Sequence, residues 1–310
     1  MMLNVFSLKN IRNLIGVFLC STIMLFSQES KIISIKDGII HYKTFGKGEP
    51  VLIINGGPGM NCEGFDAIAQ EIADKGFQTI IYDQRGTGKS LISKVDSATV
   101  TMKLMVEDIE YLRKYLKIKK WTVFGQSFGG ILAAQYAHYY SKSIDKIVFS
   151  SSGGLNLAFL ETINQRLRRN LSETEQDSLN FYNQKLDKAP QNQDIILKRA
   201  HYLASAYVVQ KKFIPLLAKR MTQVNFLINE LVFNDLIKNE FDMSLNFKTF
   251  KRPVLIFQGE NDVISVETAQ NIHKAFPDSN LVLIENCGHY PWLDQHDLFF
   301  TELVTFLNAK

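Results

Sequence analysis

The sequence predicts an α/β protein: a doubly wound, mostly parallel sheet with a helical lid inserted late in the chain. Three observations predict it. Short apolar runs alternate with helix-period segments from residue 51 to residue 150, and again after residue 253. Between Gly153 and about Lys248 strand-like patterning stops, and the chain becomes rich in Leu, Phe and Asn. One strand-to-helix turn, Gly125-Gln126-Ser127-Phe128-Gly129, carries a serine at its apex with glycine on both sides.

In chain order, Lys31 to Ile35 and Ile39 to Thr44 read as a hairpin around Asp37-Gly38, a strong short turn signal. Val51 to Asn55 is a continuous apolar run, the pattern of a buried strand, and it ends in the loop Gly56-Gly57-Pro58-Gly59. A short helix from Phe65 to Lys75 precedes a strand at Thr79 to Tyr82. Met105, Ile109, Leu112 and Leu116 then share one helix face. Trp121 to Phe124 is the strand before the serine turn, and Ile131 to Ala137 the small-residue helix after it. Ile147 to Ser150, Val254 to Gln258 and Leu281 to Ile284 supply further strands, and Phe299 to Leu307 a closing helix. In the lid, Ser172-Glu-Thr-Glu175 is a capping box, and Arg166, Arg168 and Arg169 form a basic patch expected to be a solvated helix face. The expected layout is a signal segment at 1–27, a first core part at 28–153, the lid at 154–248 and a second core part at 249–310.

Composition limits the function classes. With 310 residues, 46% of them hydrophobic and 21% charged, the chain can bury one large core. Its formal charge of +4 is dispersed, with no basic run interleaved with aromatics, which argues against a nucleic-acid partner. Gly88-Lys89-Ser90 imitates the end of a phosphate-binding loop, but Asp83 stands where that motif needs its first glycine.

Lys9 and Arg12 precede an apolar stretch, Leu14 to Phe26, and a polar exit, Ser27 to Ser30. This is the pattern of a secretory signal cut near Ser27, so the mature chain is expected in the periplasm or outside the cell. The alternative is an uncleaved N-terminal anchor, the one expected route to a membrane. Leu25 is large for the position before such a cut, and Cys20 follows the bulky Leu19, which argues against a lipid-bearing cysteine. Removal of 1–27 lowers the formal charge to +2. Cys62 and Cys287 remain and are expected as two free thiols.

A serine hydroxyl needs a base to take its proton and a third group to orient that base. Asp262, in Gln258-Gly-Glu-Asn-Asp262, and His289, in Cys287-Gly-His-Tyr-Pro-Trp292, each follow a predicted strand. Both therefore fall on the sheet edge that carries Ser127. The N–H groups of Phe128 and Gly57 are the candidate oxyanion donors, while Pro58 has no N–H to offer. Serine rather than an acid at position 127 excludes the nucleophile of dehalogenases and epoxide hydrolases. This chemistry needs no metal or organic cofactor. A pure ligand-binding module is the competing class, and reaction of Ser127 with a fluorophosphonate separates the two.

Asn55-Gly-Gly-Pro-Gly59, Asp83-Gln-Arg-Gly-Thr-Gly-Lys-Ser90, Gly125 to Gly130 and Gly288-His-Tyr-Pro-Trp292 together resemble α/β-hydrolases of the proline iminopeptidase (prolyl aminopeptidase) group. The resemblance covers nearly everything after the signal. It implies a serine peptidase acting on an N-terminal residue of a short peptide, with Asn55, Gly56, Asp83, Arg85, Gln126 and Trp292 as supporting residues. It also implies that Asp83 and Arg85 brace the oxyanion loop. Two departures bear on substrate. Asn55 replaces the group's usual histidine, and Ser205 and Val224 stand where lid glutamates would bind the substrate amine. Glu230 or Glu240 is the expected substitute. If neither faces the pocket, a small ester or amide becomes the expected substrate in place of a peptide.

Overall fold

The computed structural model describes residues 29–309. The chain runs β1 (Glu29–Ile35), β2 (Gly38–Gly46), β3 (Pro50–Ile54), α1 (Asp66–Asp74), β4 (Gln78–Tyr82), α2 (Met102–Tyr115), β5 (Trp121–Gln126), α3 (Phe128–Tyr140) and β6 (Ile144–Ser150). Among the described residues, α-helices without an intervening strand follow: α4 (Phe159–Arg169), α5 (Glu173–Lys188), α6 (Gln193–Ser205), α7 (Ile214–Met221) and α8 (Phe226–Lys238). They form the lid. β7 (Val254–Gly259), α9 (Val266–Ala275), β8 (Ser279–Ile284), α10 (Pro291–Asp294) and α11 (His296–Asn308) complete the core. The sheet has the order β1-β2-β4-β3-β5-β6-β7-β8; β2 is antiparallel to both its neighbours and the other pairings are parallel. The segment read as a signal lies outside the described residues.

Strand alternation divides the core in two. Leu52, Ile54, Val123 and Ile256 point to one face, where they meet α2, α3 and α9. Val51, Ile53, Phe124 and Phe257 point to the other, where they meet α1 and α11. Each central strand buries side chains on both faces, which is why these segments read as unbroken apolar runs rather than alternating ones. The capping box of α5 forms in full: Ser172 Oγ accepts from the Glu175 N–H, and Glu175 returns to the Ser172 N–H. Cys62 and Cys287 are both free and buried, and burial pushes both thiols up.

Two expectations are corrected. The hairpin turn is Lys36-Asp37, one residue earlier than the Asp37-Gly38 signal suggested, since Ile35 pairs with Gly38. Gly38 is required for a different reason. A Cβ there would lie 2.1 Å from the Leu91 carbonyl oxygen, whose loop packs across the strand and accepts the Ile39 N–H. Arg85 does not brace the oxyanion loop. Its guanidinium donates to both carboxylate oxygens of Asp108 on α2, at 2.9 and 2.6 Å, and to Asp37 in the hairpin turn at 2.5 Å. It fastens the hairpin to α2. Arg85→Met leaves the Asp108 carboxylate buried without its partner, a change that costs about 3–5 kcal/mol. The expected result is a lower denaturation midpoint, with turnover per folded molecule retained.

Candidate active site

Ser127 lies between the end of β5 and the start of α3, with φ 54° and ψ −120°. For a non-glycine residue this conformation costs on the order of 1–3 kcal/mol and persists only where the surroundings impose it. They do so through the backbone. The Ser127 N–H donates to the Ser150 carbonyl, and the Ser127 carbonyl accepts from both the Gly130 and Gly153 N–H groups. The adjoining glycines make room: a Cβ on Gly125 would lie 2.5 Å from the Gly129 carbonyl oxygen, and one on Gly129 would lie 2.1 Å from that of Ile54.

Asp262, fully buried after β7, accepts the His289 Nδ1–H at 2.7 Å. Its carboxylate is itself held by the Ile264 N–H and by Gln258 Nε2, both at 2.9 Å. Because the Nδ1–H is held in its hydrogen bond to Asp262, Nε2 is the imidazole nitrogen left free to accept a proton. Ser127 and His289 line the same cavity, of about 270 Å³. Among the described residues the Ser127 hydroxyl forms no hydrogen bond to the imidazole. Such links often tighten only when substrate is bound.

The oxyanion loop is positioned with equal care. Phe128 opens α3, so its N–H has no partner within the helix. Gly57 lines the cavity at φ +74°. The Gly56 carbonyl accepts from Asn55 Nδ2 and from Arg220 Nη2, both at 3.1 Å. In a trans peptide the carbonyl and the following N–H point in opposite directions, so holding the Gly56 carbonyl aims the Gly57 N–H. Gln126 Oε1 accepts the Gly56 N–H at 3.0 Å, and its Nε2 reaches the His289 carbonyl, linking the two loops. Gln84, not Arg85, reaches this loop, donating to the Asn55 carbonyl at 2.8 Å. Asp83 holds the loop's far end through the Cys62 N–H at 2.9 Å and binds His41 Nδ1 at 2.8 Å. Burial works against its charge, yet donation from the Cys62 and Lys89 N–H groups holds its carboxyl below the usual range. Trp292 packs beneath the site against Phe65, Phe124 and Phe299.

Several positioning residues had no signature in the sequence. Arg220, from α7, is buried, and its guanidinium lies 4.6 Å from the Phe65 ring centre. Asn229 donates to the Pro58 carbonyl, and the Asn225 N–H to that of Gly59. Asp294 accepts the Gly288, Val209 and Gln210 N–H groups, tying the histidine loop to the lid. The basic patch of α4 is only partly a solvated face: Arg168 and Arg169 are exposed, but Arg166 Nε donates to the Asp262 carbonyl at 2.9 Å.

His41, Cys62 and Asp83 bring three potential metal-ligating atoms within 4.8 Å of one another. Their groups are already engaged with each other, with Ser30 and with the backbone. This cluster fits a structural brace better than a metal site.

Neither residue offered as an amine ligand reaches the cavity. Glu230 is exposed on α8, and Glu240 is exposed beyond its end at φ 49°. Ser205 is buried under Glu175 and Lys211, while Val224 lines the cavity. The cavity wall contains neither Asp nor Glu among the described residues, and Arg199 is its one permanently charged side chain.

Two measurements test this geometry. Ser127→Gly and Ser127→Ala should both abolish turnover, and glycine should leave the protein more stable than alanine by about 1 kcal/mol in denaturant titration, because it relieves the positive φ. Arg220→Met should lower kcat by about 10²-fold with a smaller change in KM, as expected when an oxyanion donor loses its aim. Arg220→Lys, which keeps a donor, should recover part of the loss.

Comparison with known proteins follows the same lines. A proline iminopeptidase from Lactobacillus acidophilus is 24% identical over 283 residues, spanning 87% of this chain and 94% of that protein. Among solved structures, an esterase from Exiguobacterium antarcticum superposes with a TM-score of 0.71 at 18% identity, covering 91% of this chain and all of the esterase. A proline iminopeptidase from Mycobacterium smegmatis gives 0.70 at 20% identity, covering 90% and 97%. The profile of the alpha/beta hydrolase fold matches residues 49–295, from the strand before the oxyanion loop to beyond the histidine turn, and the chain belongs to that family.

Proposed function

We propose that this serine hydrolase cleaves small acyl esters or amides through an acyl-enzyme. Ser127 Oγ attacks the carbonyl carbon while His289 Nε2 takes its proton, and the developing oxyanion is received by the N–H groups of Phe128 and Gly57. Collapse expels the leaving group, which His289 protonates. Water then enters by the reverse path and frees the acid. Asp262 keeps the imidazole oriented and stabilises it when charged. Each oxyanion donor contributes on the order of 3 kcal/mol to lowering the barrier.

The observation that carries the choice of substrate is the cavity without a carboxylate. An N-terminal amine is cationic at neutral pH, and an ammonium moved from water into an apolar wall without a counter-charge binds poorly. A neutral acyl group has no such cost. The second reading, a proline iminopeptidase-like aminopeptidase, is favoured by the Gly-Gly-Pro-Gly loop, by the Asp-Gln-Arg-Gly block and by similarity to proline iminopeptidases over most of their length. Action outside the cytoplasm belongs to the same proposal and rests on the pattern from Lys9 to Ser30 alone.

Turnover of a prolyl arylamide, its N-acylated form and a short acyl ester separates the two readings. Hydrolysis of the ester with little of the free prolyl arylamide is expected. Fast prolyl turnover that disappears on acylation would establish the aminopeptidase instead.

A further inference from the structure

Arg199 has no role in the chemistry above, yet it lines the cavity. It sits on α6, and its Nε donates to Asn183 Oδ1 on α5 at 2.7 Å. That bond anchors the guanidinium at one corner and leaves its two terminal nitrogens without a protein acceptor among the described residues. No carboxylate pairs with it there. Burial pulls its affinity for a proton below the ordinary arginine value, yet arginine remains charged at any pH the protein would meet. A partly desolvated cation facing an apolar cavity is unfavourable unless an anion completes it. Tyr207, just past the end of α6, lines the same cavity; its phenol lies within electrostatic reach of the guanidinium and forms no hydrogen bond among the described residues. Leu203, one turn along α6 from Arg199 and four residues before Tyr207, lines the same cavity and adds apolar wall beside them.

Position along the cavity indicates which half of the substrate this pair meets. The Tyr207 ring lies edge-on to the His289 ring, with centres 5.2 Å apart. His289 is the group that returns a proton to the leaving group, so side chains clustered on its side of the cavity face that half of the substrate.

We propose that Arg199, assisted by the Tyr207 phenol, is a specificity-determining residue that binds a carboxylate on the leaving group, making the preferred substrate an acyl ester or amide whose released alcohol or amine is itself an acid. This deepens the serine-hydrolase reading and rests on it. The fork of the guanidinium suits the two oxygens of a carboxylate, and the phenol supplies a further donor. The guanidinium repels an ammonium at that position. The carboxylate is bound in both ground and transition states, so its contribution appears mainly in KM and in the ratio of kcat/KM between substrates.

The test uses three butyryl esters that differ only in the phenol released: one bearing a carboxylate, one a carboxamide and one an aminomethyl group. Wild type should favour the carboxylate over the aminomethyl ester. In Arg199→Gln the carboxylate-to-carboxamide ratio of kcat/KM should fall about 10- to 100-fold, the range for a hydrogen-bonded charge pair. Arg199→Lys should retain part of the preference. Comparing ratios within each variant cancels any general loss of activity, and fluorophosphonate reaction at Ser127 reports whether the variant is folded. An unchanged ratio in Arg199→Gln, or a wild-type preference for the aminomethyl ester, overturns the proposal. Failure of the underlying reading looks different: none of the three esters turns over and Ser127 resists the fluorophosphonate.

Discussion

A serine at φ 54° is the constraint on which the site depends. Nothing local favours that conformation, so it must be imposed by hydrogen bonds from β6, from α3 and from the segment leading into the lid. Those bonds in turn require strands and helix to approach so closely that Gly125 and Gly129 admit no side chain. The small residues of α3 follow from the same requirement, for they let the helix settle onto the sheet. The helix start then presents unpaired N–H groups at the cavity, where negative charge would develop.

The lid is bound to the chemistry and does more than cover it. Arg166 and Asn170 on α4 and just after it hold the loop of Asp262. Arg220, Asn225 and Asn229 hold the oxyanion loop, and the Tyr207 carbonyl accepts the His289 N–H at 2.8 Å. The loops of Asp262, Gly57 and His289 are thus tied down from above by polar contacts as well as from below by the sheet. A charged arginine buried at one such junction gains stability from the Phe65 ring and the carbonyls around it.

Two parts of the chain build the cavity. The sheet edge supplies Ser127, Asp262 and His289, while the cavity wall opposite them comes largely from the lid. Changes in lid side chains that only line the cavity, such as Phe159 and Val224, can therefore alter which molecule enters, unlike changes at Arg166 or Arg220, which hold the loops. The cavity's lack of acids and its single arginine belong to that second layer.

The sequence by itself determined the strands, the serine turn and the placing of Ser127, Asp262 and His289 at one edge of the sheet. Those features rest on local periodicity, on glycine spacing and on the rule that strand ends in a parallel sheet share an edge. Tertiary structure alone decided that Gly38 serves packing against Leu91, that Gln84 rather than Arg85 reaches the oxyanion loop, and that Glu230 and Glu240 are exposed and do not line the cavity. It also decided the pairing of Arg220 with Gly56, which are 164 positions apart. No window of sequence contains both partners of such a contact, and the direction a lid side chain takes depends on how its helix is rotated against its neighbours.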